Sequence, residues 1–344
     1  MVTPSTSQML ESVSPTRLER LRRCPLRIAF EQAAPEVARV ATSATALCGL
    51  AAHRTIELVI GSSWDLKAAW ATACDELSAQ GAGDVQSTYS ARRTLLRLER
   101  RLNELLGYRD QHTPKTVRVE QTLVSRDRTV SGRLDLLLVG PEVAVVDYKT
   151  GTVTDAGAVR ESYERQLAVY AWLAAEHLGV DEVEGALFSL REGIVTVDVT
   201  ASVRNTVVAT LLSLRAAFNS RVPGPQPATP CEASCGWCPF VCSCEPAWTS
   251  LDEGVITTLG RGDAVSGVVS AEAVMAASGT SAIRLQIDRG TVRGEAVIAD
   301  VSHHVAGALH AGDRATFVGL ARRSEQPLTF AWRDEISQGM KGAA

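Results

Sequence analysis

From residue 117 to residue 149, apolar positions come in short unbroken runs closed by turn residues, without the three-to-four spacing of a helix. Val130, Leu134, Leu136, Leu137, Leu138 and Val139 make one run, Val143, Ala144, Val145 and Val146 make the next, and Gly140-Pro141 separates them. Runs of this length predict buried strands, here a hairpin over 129–139 and 142–149 preceded by a strand over 117–124. Upstream, helical periodicity predicts helices over most of 14–110, broken by Gly, Ala and Ser near 80–86. Downstream, a helix over 160–178, strands near 183–190 and 195–199, and a helix over 202–219 lead into Pro223-Gly224-Pro225. This order predicts an α/β fold, a sheet flanked by helices.

Beyond about residue 252 the texture changes to short alternations at 255–259, 264–269, 282–287, 292–299, 314–320 and 328–333. Turn signals such as Gly260-Arg261-Gly262-Asp263 and Ala311-Gly312-Asp313 divide them, and strands so spaced predict a small all-β barrel, OB-like in our reading. The expected organisation is a disordered 1–13, a domain over 14–250, a barrel over 251–335 and a disordered tail over 336–344. OB barrels hold single strands through basic grooves and stacked aromatics, for which Phe317, Phe330 and Trp332 with Arg284, Arg293, Arg322 and Arg323 are candidates. The same aromatics also suffice to fill a small core, which is the reading favoured here.

The hairpin carries the candidate chemistry. Asp135 lies on one strand, Asp147 and Lys149 on the next, and residues two apart on a strand share a face. Charges in apolar strands need compensation, and two carboxylates are suitable oxygen ligands for Mg or Mn. A lysine beside such a metal would orient water or offset charge on a phosphoryl oxygen, as metal-assisted phosphodiester hydrolysis requires. An exposed ion pair between Asp147 and Lys149 would also account for the triplet, at a worth of about 0–1 kcal/mol.

Gly132-Arg133-Leu134-Asp135 followed by Val146-Asp147-Tyr148-Lys149-Thr150-Gly151 resembles the core of the PD-(D/E)XK nuclease superfamily, in its RecB-like branch. Leu134 stands where the superfamily's name has proline. The resemblance implies a restriction-endonuclease-like core with an N-terminal helical region. It implies a metal held by His53, Asp135, Asp147 and the Tyr148 carbonyl, with Lys149 catalytic beside the two aspartates. His53 belongs to a Gly49, His53, Glu57 series at helical spacing, and Gln166 with Tyr170 matches the family's substrate-contacting Q-x-x-x-Y segment. Glu120, on the preceding strand, matches an acidic position and is expected to support the site from behind the ligands. The implied activity is a metal-dependent DNA nuclease, an exonuclease on single strands or DNA ends, serving repair, recombination or defence. The alternative is a non-catalytic nucleic-acid-binding subunit of a helicase-nuclease or CRISPR adaptation complex. Inactivated members tend to lose an acid or the lysine, and Asp135, Asp147 and Lys149 are all kept here.

Of eight cysteines, five crowd between 231 and 244. Residues 1–12 are polar with no secretory core, so a cytoplasmic location is expected, and in a reducing compartment such spacing favours metal binding over disulfides. Cys235, Cys238 and Cys244 resemble the three-cysteine signature of iron-sulfur RecB-like nucleases, including AddB and the CRISPR-associated ones, whose fourth ligand lies far upstream. Cys24, in Arg22-Arg23-Cys24-Pro25-Leu26, fits that place, which implies a 4Fe-4S cluster. Zinc on Cys231, Cys235, Cys238 and Cys242 or Cys244 also fits the spacing, and whether Cys231 or Cys242 replaces a ligand stays open. Cys48 and Cys74 read as buried small apolar residues.

The net charge of -4 excludes a chain coated in positive charge for nucleic acid. Arginines are nonetheless clustered, at 17, 20, 22, 23 and 27 and again at 92, 93, 97, 100, 101 and 109, and such clusters either track phosphates or form solvated faces laced with Glu99 and Glu104. No Walker A pattern occurs, so a helicase motor would be a separate partner.

Overall fold

The computed structural model describes residues 4–33, 44–82, 84–275, 280–301, 303–333 and 338–341. Helices α1 (Pro15–Arg23), α2 (Pro25–Ala33), α3 (Ala44–Ser62), α4 (Leu66–Leu77) and α5 (Tyr89–Gln111) come first, followed by strands β1 (Thr116–Val124), β2 (Ser131–Val139) and β3 (Val143–Lys149). A small ribbon, β4 (Thr154–Asp155) and β5 (Ala158–Val159), precedes α6 (Glu161–Leu178), β6 (Glu184–Ser189), β7 (Gly193–Val197) and α7 (Ala201–Asn219). Short helices α8 (Glu232–Cys235) and α9 (Glu245–Asp252) lead to β8 (Asp263–Met275), β9 (Ser281–Gly290) and β10 (Gly294–Val301). Last come α10 (His303–Ala306), β11 (Arg314–Glu325), β12 (Leu328–Ala331) and β13 (Gln338–Lys341). The chain divides into two compact units, Leu10–Glu19 with Thr42–Asn219, and Met1–Met9 with Arg20–Ala41 and Ser220–Ala344.

The first unit is an α/β layer structure. Its sheet runs β1-β2-β3-β6-β7, antiparallel except for the parallel β3–β6 pair, which α6 joins as the crossover. Both faces of β2, β3 and β6 are covered, which is why these strands are apolar without alternation. On one face, Trp70, Leu98, Leu105 and Tyr108 of α4 and α5 pack with Leu136, Val146, Tyr148 and Phe188. On the other lies α6, and Gly132 permits its approach, since a Cβ there would stand 2.9 Å from the Tyr170 ring. The helical break near 80–86 appears as a π-turn at Ser78–Ala82 followed by irregular chain up to Thr88, whose side chain caps α5. Residues expected to be disordered before 14 are partly built in. Leu10 donates its N–H to Asn219 Oδ1 at 2.8 Å, and Val13 bridges Val130.

In the second unit β8, β9, β10, β12 and β11 close into a five-stranded barrel, with β10–β12 parallel, the other pairs antiparallel, and α10 between β10 and β11. That is the OB-like topology expected. Two details differ. The 255–259 alternation forms no strand; Gly254, Gly260 and Arg261 at positive φ turn the chain, while Ile256 and Leu259 bury themselves against α9. And β13, inside the stretch expected to be a tail, pairs with β11. Phe317 and Phe330 are core residues and Trp332 packs edge-on to Phe317 at 6.3 Å, so the aromatics fill the barrel instead of offering a stacking surface. The accompanying arginines face acids: Arg284 with Glu295, Arg293 with Asp252, Arg322 with Asp263, Arg323 with Asp300.

The β8–β9 pairing of the barrel depends on a close approach. At the bulge between Ser266 and Gly267, a Cβ on Gly267 would stand 2.0 Å from the Gln286 carbonyl oxygen, a backbone atom that cannot swing away. Gly267→Ala is expected to lower stability by about 1–3 kcal/mol, read as a lower denaturant midpoint; an unchanged midpoint would refute the packing described.

Candidate functional site

The β2–β3 ladder runs from Val139↔Val143 to Leu136↔Val146 and ends there. One step further on the strands part, and Asp135 and Asp147 flank the gap, 9% and 2% exposed. In place of a ladder bond, Asp135 Oδ2 accepts the Tyr148 backbone N–H at 2.6 Å. The sequence thus puts two carboxylates where an apolar sheet opens.

Two groups of side chains converge on this gap. In the first, His53 of α3 lies edge-on to the Tyr148 ring, centroids 5.7 Å apart, with Nδ1 3.5 Å from Asp135 Oδ1. Glu120 joins them through its backbone. At φ 50° it interrupts the β1 pairing between Val119 and Gln121, a conformation that non-glycine residues adopt at a cost and that clusters at functional sites. One ligand atom each from His53, Glu120 and Asp135 then lies within 4.8 Å of the others, and Arg133 pairs with Glu120 at the edge. In the second group Lys149 pairs with the buried Asp147 Oδ2. Gln166 Nε2 donates to Asp147 Oδ1 and to the Tyr170 hydroxyl, each at 3.1 Å. Lys149 Nζ donates to Gln166 Oε1 at 3.0 Å and lies 4.9 Å from the centre of the Tyr163 ring.

The residues singled out from sequence are therefore neighbours, in a different grouping. Asp147 is engaged by lysine and glutamine, while Glu120, expected behind the ligands, stands beside His53 and Asp135. Of Tyr148 only the backbone reaches the gap, because its ring turns into the helical core beside Phe188. The proximity of Glu120 to His53 and Asp135 depends on a left-handed kink that has no signature in residue type. The signal available was its place opposite Asp135 in an antiparallel register.

The electrostatics show an excess of negative charge. Burial pushes the Asp147 carboxyl up to about 6, with Lys149 opposing and Asp135 adding to the rise. Burial and then Asp135 raise Glu120 as well. At His53 burial works to lower the pKa, but the hydrogen bond and charge of Asp135, with that of Asp147, outweigh it and the net shift is upward. The buried Asp147 carboxylate, paired with Lys149 and Gln166, and the converging His53, Glu120 and Asp135 make a donor set that fits a hard divalent cation.

The second unit holds six of the eight cysteines, Cys48 and Cys74 lying in the first. Cys24 of the α1–α2 junction and Cys235, Cys238 and Cys244 line one hollow of about 460 Å³, part of it open solvent, together with Arg23, Arg27 and Phe30. Successive turns carry the three later sulfurs around it: Cys238 N–H donates to Cys235 O, Val241 N–H to Cys238 O, and Cys244 N–H to Val241 O. Phe30 and Phe240 stack at 5.2 Å against the same wall. Burial raises Cys235 to about 11 and Cys244 to about 12, and each of these thiols is pushed further by the others and by Cys24. The two surplus thiols are turned elsewhere. Cys231 is exposed and accepts the Ser234 N–H at 3.3 Å, while Cys242 is buried against Trp248 and its neighbours.

Residues 12–245 match the model of the family described as the PD-(D/E)XK nuclease superfamily. No curated protein matches the sequence. Among solved structures, the chain is similar to a candidate exonuclease from Eubacterium rectale, with 13% identity, 69% of this chain and 87% of that one covered, and a TM-score of 0.42. It is also similar to an alkaline exonuclease from Laribacter hongkongensis, with 16% identity, 50% and 91% covered, and a TM-score of 0.24. No helix among the described residues is long and apolar enough to cross a membrane.

An unfolded aspartate releases its proton near about pH 3.9, whereas Asp147 in the fold holds its proton up to about 6. Between those values the folded state binds more protons, so metal-free stability falls as pH rises through the window, and raised His53 acts in the same direction at the upper end. Denaturant midpoints in EDTA from pH 4 to 7 are expected to decline for the wild type and to flatten for Asp147→Asn. A wild-type midpoint that does not fall relative to that of Asp147→Asn as the pH rises would contradict the burial assigned to Asp147.

Proposed function

The chain belongs to the PD-(D/E)XK nuclease superfamily, and from that premise we propose that it is a Mg- or Mn-dependent DNA nuclease of the RecB-like branch that hydrolyses single strands or DNA ends as an exonuclease. The observation that carries this reading is the convergence of His53, Glu120 and Asp135 beside the buried Asp147–Lys149 pair. His53, Asp135 and Asp147 would hold the metal, with Glu120 as an added ligand and the Tyr148 carbonyl within the same strand end. When bound, the metal polarises a phosphoryl oxygen and makes a bound water more acidic.

The rest belongs to the side chains. Lys149 is fixed by Gln166 Oε1 and by Asp147, so its ammonium is aimed without the entropy cost of a free lysine. It orients the attacking water and offsets the charge that develops on phosphorus-bound oxygen as the water oxygen bonds to phosphorus and the leaving oxygen departs with a proton. Gln166 reads Asp147, Lys149 and Tyr170 at once, so it keeps the acid and the lysine in register. Tyr170 lies on the same helical face and with Gln166 would seat the strand.

A 4Fe-4S cluster on Cys24, Cys235, Cys238 and Cys244 is the second part of the proposal. Four thiols around one hollow support it. Soft sulfur donors suit an iron-sulfur cluster, with zinc as the alternative occupant. The expected setting is the cytoplasm, with any helicase motor supplied by another chain.

Incubation with end-labelled and circular single-stranded DNA and Mn tests the activity. Wild type is expected to degrade the linear substrate, Lys149→Ala to be about 10²–10³-fold slower, and the circle to persist. Equal degradation by both proteins, or none by either, would sink the assignment. For the cluster, anaerobically purified protein is expected to be coloured and to contain iron, and Cys24→Ser to lose the colour and melt earlier. A colourless wild type with stoichiometric zinc would overturn it.

A further inference from the structure

The end of the sheet that carries Lys149 also carries arginines without acids. Ser189 pairs with Lys149 across the parallel β3–β6 ladder, Leu190 N–H donates to Lys149 O at 2.9 Å, and Arg191 N–H donates to Ser189 Oγ at 3.1 Å. The β6–β7 turn therefore starts beside the lysine. It is fastened to α5, where Arg101 Nη2 donates to the Arg191 carbonyl at 3.2 Å while Arg101 itself is paired with Glu104. Steps of four back along α5 from Arg101 reach Arg97, Arg93 and Tyr89 on one helical face.

The start of α5 lies beside α3, the helix that carries His53. Thr88, which caps α5, lies 3.9 Å from the Cys48 sulfur of α3. The next residue on α3 is Gly49, where a Cβ would be 3.8 Å from Thr150, and His53 follows one turn later. Arg93 lies over the Tyr89 ring at 5.4 Å, and that ring is 73% exposed. Arg97 is held below its ordinary pKa, first by burial and then by the like charges of Arg191 and Arg93. Arg54, Arg101, Arg109 and Arg165 of the same unit all face carboxylates, but among the described residues Arg93, Arg97 and Arg191 have none. Guanidiniums crowded together without a carboxylate create demand for an anion, and their planar forks match phosphate.

We propose that Arg93, Arg97 and Arg191, with Tyr89 at the far end, form a track for the phosphodiester backbone of one unpaired nucleic-acid strand leading to the Lys149 end of the sheet. The assignment rests on the nuclease reading for the identity of the strand. A single strand is the occupant because an exposed aromatic next to cations accepts an unstacked base, which a duplex does not present.

The test is binding of a fluorescent single-stranded DNA to the full chain in EDTA across a salt series. For single strands, log K falls against log salt by about 0.7 per neutralised phosphate. The Arg97→Gln, Arg191→Gln double variant is expected to lose about 1.4 from that slope, the corresponding double lysine variant to retain it, and Tyr89→Ala to bind roughly tenfold more weakly at unchanged slope. Arg314→Gln, in the barrel, is expected to behave as wild type. A double glutamine variant with the wild-type slope, or a wild type without salt-dependent binding, overturns the track. The same proteins assayed for hydrolysis with Mn separate the two readings. Loss of slope in a chain that never cuts leaves the track standing and removes the nuclease, whereas cutting with an unchanged slope does the reverse.

Discussion

Two carboxylates buried where an apolar sheet opens are the constraint to which the rest of the α/β unit answers. An ionised carboxylate cannot be left alone in such a place; it must be paired, hydrogen-bonded or neutralised. Asp135 is met by the Tyr148 amide and by His53, and Asp147 by Lys149 and Gln166. Those partners come from three elements, so the gap organises α3, β3 and α6 around itself. Gly132 belongs to the same economy, because without its missing Cβ the Tyr170 ring, and the glutamine one turn before it, could not lie so close to β2.

The compensation is incomplete, and the shortfall is informative. Asp147 and Glu120 are both raised, first by burial and further by the charge of Asp135, so their ionised forms are held there at a cost. A buried pair such as Asp147–Lys149 stabilises little once desolvation is counted, so stability alone does not explain why these residues are assembled. A divalent cation offsets that cost at once. The exposed ion pair weighed from sequence is half right: the pair exists, but its buried position changes its meaning from a surface contact into a poised acid and ammonium.

Much of this was legible in the chain because periodicity reports burial. Unbroken apolar runs announced β2 and β3, four-residue spacing placed Gln166 with Tyr170, and turn residues marked the barrel strands. What escaped was set by backbone conformation and by competition for space. Glu120 looks like any strand glutamate until its φ turns positive. Val255 to Leu259 alternates like a strand, but left-handed turns at both ends bend it into the wall beside α9. Spacing among six cysteines allowed several ligand sets, and the four around the hollow emerge only when Cys231 is seen capping α8 and Cys242 buried against Trp248. The barrel aromatics could have served stacking or packing, and the closed core decided for packing.

The two units pose the same physical problem in different chemistry. One gathers oxygen donors whose acids raise one another, the other gathers thiols whose burial and mutual charge hold them far above their ordinary range. Hard oxygen ligands select Mg or Mn, soft sulfur selects iron clusters or zinc, so neither site competes for the other's metal. In both, burial disfavours the ionised ligands until a cation arrives, and whatever binds the folded state alone adds its binding energy to folding. The arginine row on α5 inverts the sign of the same argument, with positive charge gathered and an anion required. A chain of modest net negative charge thus carries three local clusters of chemistry, and the counterpart proposed for each follows from its donors: a hard cation, a soft metal and a phosphate backbone.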